Sequence, residues 1–386
     1  MKSMREAISF ATRDNHDVFE TLGGLPARSE VDALRFQRFW LFGATAAADP
    51  VIAYLHRHGK GVAGFIDSRA AQVDREFRDR PLLTPTQWLD TAAPTDAVII
   101  VSAHQQPIAS QLIDELKIAV TRVFPYMSDM FAPSFGRGAI ETYANEIRLV
   151  REWLADAPSR NYFDALLRFR WTMDARSLAP NPRMVGMYNY ESDEMKANPG
   201  ETVVDAGAFD GDTVSLFLER AGATAKVYAI EAFAPNFARL LKKVKSGEWG
   251  ARVIPVQAAL AQASGTIMEF SGVADGDARA HVIDAGIRGG HDVRSMTLDQ
   301  LFPDHHQRID LIKLDIEGSE AAALRGAIRL LKRDAPRLIV AAYHRPRDLW
   351  EIPQLIRHEL SCRGPLFLGH HPAAHYEPEW FVGKPV

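Results

Sequence analysis

The sequence predicts an α/β protein built on two parallel-sheet units, and three observations carry that reading. Short apolar runs alternate with amphipathic segments twice along the chain, before residue 127 and again after residue 198, the pattern of strands connected through helices. Between them, Ile140, Tyr143, Ile147, Val150 and Leu154 recur every three or four positions, which marks one face of a helix. And 386 residues are more than one ordinary core covers. The expected division is an α/β domain at 1–127, a helical connector at 128–197 and a doubly wound α/β domain at 198–386.

Taken in order, residues 1–30 read as a helix and a turn closing at "GGLPA". Phe39–Phe42 is a strand, Ala46–His58 a helix and Val62–Ile66 a second strand; "DAVIIVSA" is a third, followed by the helix "PIASQLIDELKIA". In the connector, "SRNYFDALLRFRWTMDAR" forms a second helix, and the two prolines of "LAPNPRM" end it. This segment packs the two α/β units together or walls a cleft between them. The second unit has strands at Thr202–Asp205, Lys226–Glu231, Arg252–Gln257, Asp310–Asp315 and Arg337–Tyr343, and "PLFLGHHPAAHYEPEWFVG" closes it as a hairpin.

Composition excludes several classes. The net charge is −4 with no long basic tract, which argues against nucleic acid as a partner. The single cysteine, Cys362, rules out an internal disulfide and suits a cytoplasmic setting. The N-terminus lacks the apolar core of a signal peptide, and no run of 18 apolar residues predicts a membrane span.

The chemistry concentrates at strand ends. "VVDAGAFDGDT" (203–213) runs a buried strand into Asp205 and turns at Gly207 and Gly211, with Asp212 or Thr213 in place to cap the next helix. In open α/β sheets ligands bind outside the carboxyl ends of strands. A phosphate cradle avoids carboxylates, whereas Asp205 and Asp210 invite positive charge; a sulfonium with an amino-acid tail, S-adenosylmethionine, fits. "KVYAIEAFAPN" ends its strand at Glu231, 26 positions after Asp205, where an acid takes ribose hydroxyls, and Phe233 is placed to pack on an adenine face. Phe209 and Ala258, in the turn and after the third strand, complete the candidate cofactor set. In "RIDLIKLDIEGSE", Lys313, Asp315 and Glu317 share one strand face. A strand inside a parallel sheet is apolar on both faces, so this polar stripe marks its opening into a cleft; Gly318 turns the chain and Ser319 is placed to cap the next helix. His344 follows the apolar strand in "LIVAAYHRPRDLW" and is the remaining candidate for chemistry or metal ligation.

With these residues in hand, 198–386 resembles an FkbM-type methyltransferase, within the class I S-adenosylmethionine-dependent fold. The resemblance rests on "VVDAGAFDGDT", "AIEAFAPN", "MTLDQL", "IDLIKLDIEGSE" and the "YH" before "RPRDLW". It implies O-methylation of a hydroxyl, commonly on a sugar, glycan or secondary-metabolite scaffold. It further implies that Asp205, Gly207 and Asp210 surround the methionine part, that Glu231 holds the ribose, and that Asp315 lies beside the sulfonium. A small-molecule or glycan acceptor is the expected partner. His344 and Asp315 are the candidate catalytic pair, His344 as a base. Asp315, Glu317 and His344 also form a candidate ligand set whose oxygens favour a divalent metal such as magnesium. Two other classes share part of the pattern. An NAD-linked oxidoreductase would need better glycine fingerprints in both halves, and a non-catalytic cofactor- or glycan-binding protein would bind without transfer. Base methylation is disfavoured, since no Asn-Pro-Pro-aromatic run follows the fourth strand.

The first unit is similar to the small Rossmann-like domains of sugar-nucleotide enzymes, but "LFGATAAADPV" keeps only Gly43 of the fingerprint. Asp67, 24 residues after Gly43, stands near a ribose-acid distance. Both a structural or partner-binding role and a nucleotide or nucleotide-sugar site stay open. "HHPAAH" (370–375) reads as a histidine-rich hairpin loop rather than a metal site, as does "DHHQ" (304–307).

Overall fold

The computed structural model describes residues 18–70, 76–126, 135–247, 249–271, 281–283, 291–304 and 307–384. Of the helix expected in residues 1–30, the described part is Val18–Gly23; residues 1–17 and the histidines of "DHHQ" lie outside the described residues. Among the described residues no helix is long and apolar enough to cross a membrane.

The first sheet has six strands: β1 (Arg38–Phe42), β2 (Gly61–Ile66), β3 (Glu76–Phe77), β4 (Arg80–Leu83), β5 (Asp96–Ile100) and β6 (Val123–Pro125), ordered β3-β4-β2-β1-β5-β6. All pairs are parallel except β3 with β4. The short strands β3, β4 and β6 went unread in the sequence, since two to four residues show no period. The helix Pro85–Thr91 was also unread, although Thr84 and Gln87 cap it reciprocally with Pro85 in the first turn.

The second sheet has seven strands. They are β7 (Thr202–Ala206), β8 (Lys226–Glu231) and β9 (Val253–Gln257), then, beyond an excursion, β14 (Leu311–Leu314), β15 (Arg337–Ala341), β16 (Leu366–His370) and β17 (Pro378–Val382). The order is β16-β17-β15-β14-β7-β8-β9, so the chain reverses direction across the sheet between β7 and β14, where a doubly wound sheet opens its crevice. The expected closing hairpin is present, with β17 antiparallel to both β15 and β16. The excursion is a four-stranded sheet of β10 (Ala259–Leu260), β11 (Ile267–Ser271), β12 (His281–Ile283) and β13 (His291–Met296). It was not foreseen, because its sequence is polar and lacks a clean alternation.

The connector is helical as expected, with one correction. The apolar face from Ile140 to Leu154 is two helices, Arg137–Thr142 and Ala144–Trp153. The break is at Tyr143, whose ring lies 5.5 Å from that of Trp350. Asp156 caps the long helix Ala157–Thr172 by accepting from Ser159 N.

The packing joins the units. One face of the first sheet, with Phe39, Leu41, Ile99 and Val101, has a core of its own with the helix Ala48–Arg57. The opposite face, with Trp40, Phe42, Val98 and Ile100, belongs to a hydrophobic cluster that continues through Phe163 and Leu166 of the connector to Val340 and Trp380 of the second sheet. The first sheet is therefore not a detached body: a face of alternate residues needs a partner, and the connector supplies it.

Candidate functional site

The site begins where β7 ends. Gly207 has φ +77°, and a Cβ there would overlap the carbonyl oxygen of Asp315; only glycine brings the turn this close to β14. Both Gly207 N and Ala208 N donate to Ile230 O, at 2.9 and 3.0 Å. The turn is thereby pinned between the ends of β14 and β8, and a cavity of about 150 Å³ opens above it.

Asp205 supports this turn from below. It is fully buried, its Oδ1 lies 3.1 Å from Lys313 Nζ, and its Oδ2 accepts from Thr213 Oγ1 at 2.5 Å. Lys313, itself 2% exposed, also donates to Gly207 O at 2.9 Å and lies 5.0 Å from the centre of the Tyr188 ring. Burial pulls the lysine pKa down, but Asp205 and Asp315 outweigh it and hold the ammonium charged.

Glu231, at the end of β8, faces the cavity. Its two oxygens accept from Phe209 N (2.9 Å) and Phe233 N (2.8 Å). Burial dominates, and although both amides oppose it the carboxyl is pushed up to about 7.

The far wall is the end of β14. Asp315 accepts from the hydroxyls of Tyr188 and Tyr343. Burial raises its pKa, yet Lys313, His344 and the two tyrosines together hold it below the ordinary carboxylate value. His344 is 9% exposed in its side chain; its Nδ1 lies 2.9 Å from Glu320 Oε1 and its Nε2 lies 3.4 Å from Asp315 and 3.5 Å from Glu317. Burial works against its charge, but Glu320, Asp315 and Glu317 prevail and raise it to about 10. It therefore rests as an imidazolium among three carboxylates.

Five of the eight expected cofactor residues line the cavity: Gly207, Phe209, Glu231, Ala258 and Asp315. Three lie elsewhere. Asp205 is committed to Lys313 and Thr213 beneath the turn. Asp210 turns outward to Lys243, 3.1 Å away. Phe233 buries its ring with Ala259 and Val293, because the unforeseen small sheet offers it an apolar partner. Asp212, Lys313 and Asn236 line the cavity instead. Neither expected cap forms: Thr213 gives its hydroxyl to Asp205, and Ser319 makes no side-chain cap bond. For the metal ligand set, the atoms of Asp315, Glu320 and His344 gather within 4.8 Å, with Glu320 where Glu317 was expected. Glu320 begins the next helix and accepts from Ile316 N; the "EGSE" spacing that returns it was the available signal.

Residues 205–364 match the family of the methyltransferase FkbM domain. The C-terminal part of this chain is an FkbM methyltransferase domain. The family is one of S-adenosylmethionine-dependent methyltransferases, and the cavity lies where the doubly wound sheet puts its ligand. The chain also superposes on the methyltransferase FkbM of Methylobacillus flagellatus KT, with TM-score 0.68 and 16% identity, over 95% of this chain and 97% of that one; at that identity the likeness is one of fold. Fibrillarin of Aeropyrum pernix with bound S-adenosyl-L-methionine overlaps 50% of this chain and 70% of its own, at 13% identity and TM-score 0.32. A SAM-dependent methyltransferase from Aquifex aeolicus overlaps 50% and 86%, at 17% identity and TM-score 0.31. These half-length overlaps are too weak to add to the fold match. No curated protein matches the chain significantly.

Proposed function

We propose that this protein transfers a methyl group from S-adenosylmethionine to a hydroxyl oxygen of a sugar, glycan or secondary-metabolite acceptor. The observation that carries the reading is Glu231, a cavity-facing acid at the end of the second strand of an FkbM domain, whose oxygens accept from the backbone amides of Phe209 and Phe233. The residues present fit the cofactor. Glu231 suits the ribose hydroxyls, while Asp212 and Asp315 suit the cationic methionine end.

The cofactor supplies a methyl group already activated by its sulfonium. Glu231, Asp212 and Asp315 would hold it, and the chain would align the acceptor and exclude water, so positioning is the main catalytic contribution. The acceptor proton goes to His344 Nε2, with Glu320 orienting the ring through Nδ1. That assignment requires the resting imidazolium to lose its proton first, and a cation held by Asp315 would act in that direction. Replacing His344 by Ala should leave cofactor affinity within about twofold and lower turnover by about 100-fold; unchanged turnover would remove His344 from the mechanism.

A metal at Asp315, Glu320 and His344 is the second reading, favoured by the gathered ligand atoms. It requires a neutral His344 and suits magnesium or manganese through its oxygens. Activity that survives chelation sets it aside.

The deciding experiment is calorimetric titration with S-adenosylmethionine and, separately, with NADH, on wild type and Glu231→Gln. Binding of the sulfonium alone, weakened in the variant, supports the methyltransferase. Binding of NADH alone would point to an oxidoreductase, and binding without turnover on any acceptor to a non-catalytic binder.

A further inference from the structure

A second cavity, of about 260 Å³, takes no part in the proposed transfer. Strand register places it. Along β14 and just past it, Leu311, Lys313 and Asp315 alternate onto one face of the sheet. Lys313 and Asp315 line the first cavity, whereas Leu311 lines the second, nearer the amino end of the strand. Val203 sits opposite Leu311, Ile339 opposite Lys313, and Phe381 opposite Ile339. Val203, Leu311, Ile339 and Phe381 therefore share that face and wall the second cavity together. Phe217 and Ala221, from the helix Val214–Ala221, complete the apolar wall, and all six side chains are buried.

The size suits a small molecule. An apolar cavity of about 150 Å³ is enough to hold benzene, so this one has room for a ring with a short substituent or for a short chain. Side chains around such a space gain dispersion contacts when an apolar ligand fills it.

The charged groups at the cavity are mainly cations. Lys196 is exposed and Arg220 half-buried, and among the described residues neither forms an ion pair. Arg220 donates to Met187 O at 2.7 Å and to Tyr188 O at 3.0 Å, and its guanidinium keeps further N–H groups to offer. Burial lowers its pKa, and Glu219 and Glu379 offset this only in part. The one acid among the lining residues, Glu201, is already held by Arg337. An apolar wall beside two cations without counter-charge matches a ligand with an apolar body and an anionic head, and a carboxylate fits the guanidinium fork.

We propose that this cavity is a second ligand site and takes a small apolar carboxylate. Its ring or chain packs on Val203, Leu311, Ile339 and Phe381, and its head meets Lys196 and Arg220. Tyr188 lines both cavities and donates to Asp315, so an occupant of either one touches the same side chain.

The test titrates the full chain, methyl-labelled for NMR, with benzoate, phenylacetate and hexanoate and, separately, with their primary amides. At least one carboxylate should bind saturably, with its largest shifts at the methyls of Val203, Leu311 and Ile339 rather than at Ile230, Leu260 and Ile316 of the first cavity. It should bind at least about fivefold more tightly than its amide. Lys196→Met should shrink that preference by about threefold. Ala221→Leu, whose longer side chain occupies the cavity, should weaken binding by at least about 10-fold; if that variant does not fold, the shifts in wild type still locate the site. Absence of binding by every carboxylate, shifts centred on the first cavity, equal affinity for acid and amide, or undiminished binding by a folded Ala221→Leu would each overturn the proposal. Neither S-adenosylmethionine nor turnover enters the measurement, so its failure leaves the methyltransferase reading untouched.

Discussion

The two parallel sheets offer the same crevice twice, and the acid of each is paired differently. Each has a glycine of positive φ just after a central strand, Gly43 at +118° and Gly207 at +77°. In each, a Cβ on that glycine would overlap a backbone carbonyl of the neighbouring strand's end, Val101 or Asp315. Each has an acid 24 positions later at or just past the end of the next strand, Asp67 or Glu231, and each acid accepts from a backbone amide of the glycine turn, Ala44 N at 3.5 Å or Phe209 N at 2.9 Å. The difference lies in what else the acid holds. Asp67 is gripped by Arg69 through both oxygens, at 3.1 and 3.2 Å, and its pKa falls despite burial. Glu231 accepts from amides, with Lys313 acting on it electrostatically, and burial raises it. The shared frame thus differs in whether its acid is already paired with a cation.

The comparison predicts a graded series. The largest effect belongs to Gly207→Ala, where strain and the carbonyl overlap should cost about 4 kcal/mol and abolish cofactor binding. Gly43→Ala should cost about 2 kcal/mol by denaturant unfolding yet leave cofactor affinity untouched in the protein that remains folded. Next, Glu231→Gln should weaken S-adenosylmethionine by about 10-fold or more, whereas Asp67→Asn should leave calorimetric affinity unchanged; equal losses would show that the first crevice also serves the cofactor.

Acidity separates the crevices further. The Glu231 carboxyl titrates near 7 in the fold against an ordinary 4.5. The stability it contributes is whole below 4.5 and is lost as pH rises through about 7. Cofactor binding runs the other way, since ribose hydroxyls favour the ionised form. Affinity should fall as pH drops from 8 to 6, and the slope should flatten in Glu231→Gln. His344, raised from 6.5 to about 10, likewise contributes stability that is whole below 6.5 and lost through about 10. Glu320→Gln should bring its NMR titration down toward neutrality. The smallest effect is Arg69→Ala. Its side chain is 71% exposed, so breaking the pair should barely change stability; a new nucleotide affinity would mean that this arginine alone keeps Asp67 from a ligand.

Much of this was legible in the sequence, for identifiable reasons. The seven strands of the main sheet were readable because each is a run of four to six residues dominated by apolar side chains. Glu231 and Asp315 were readable because strand ends fix their position whatever their side chains touch. What the sequence did not carry was pairing. Nothing local tells that Lys313 neutralises Asp205, that Lys243 draws Asp210 outward, or that Glu320 rather than Ser319 does the work at the start of its helix. Phe233 failed for a similar reason, since its partners belong to a small sheet whose polar strands left no period to read. Tyr188 and Glu379 stand 127 and 64 residues from Asp315, and only the assembled sheet makes them its neighbours.

The central position of β17 has a consequence for biosynthesis. It follows all other strands in the chain, yet it lies between β15 and β16. On a ribosome the residues around Gly207, Glu231 and Asp315 emerge first and can pair as β7, β8, β9 and β14 while β16 still has only its bridge to Leu154. The sheet closes only when β17 threads in between, bringing Trp380 to the core and Glu379 opposite Ala341 and Gly369. The nascent protein can therefore pair β7, β8, β9 and β14 before β17 is available, and the edge of β15 stays exposed meanwhile.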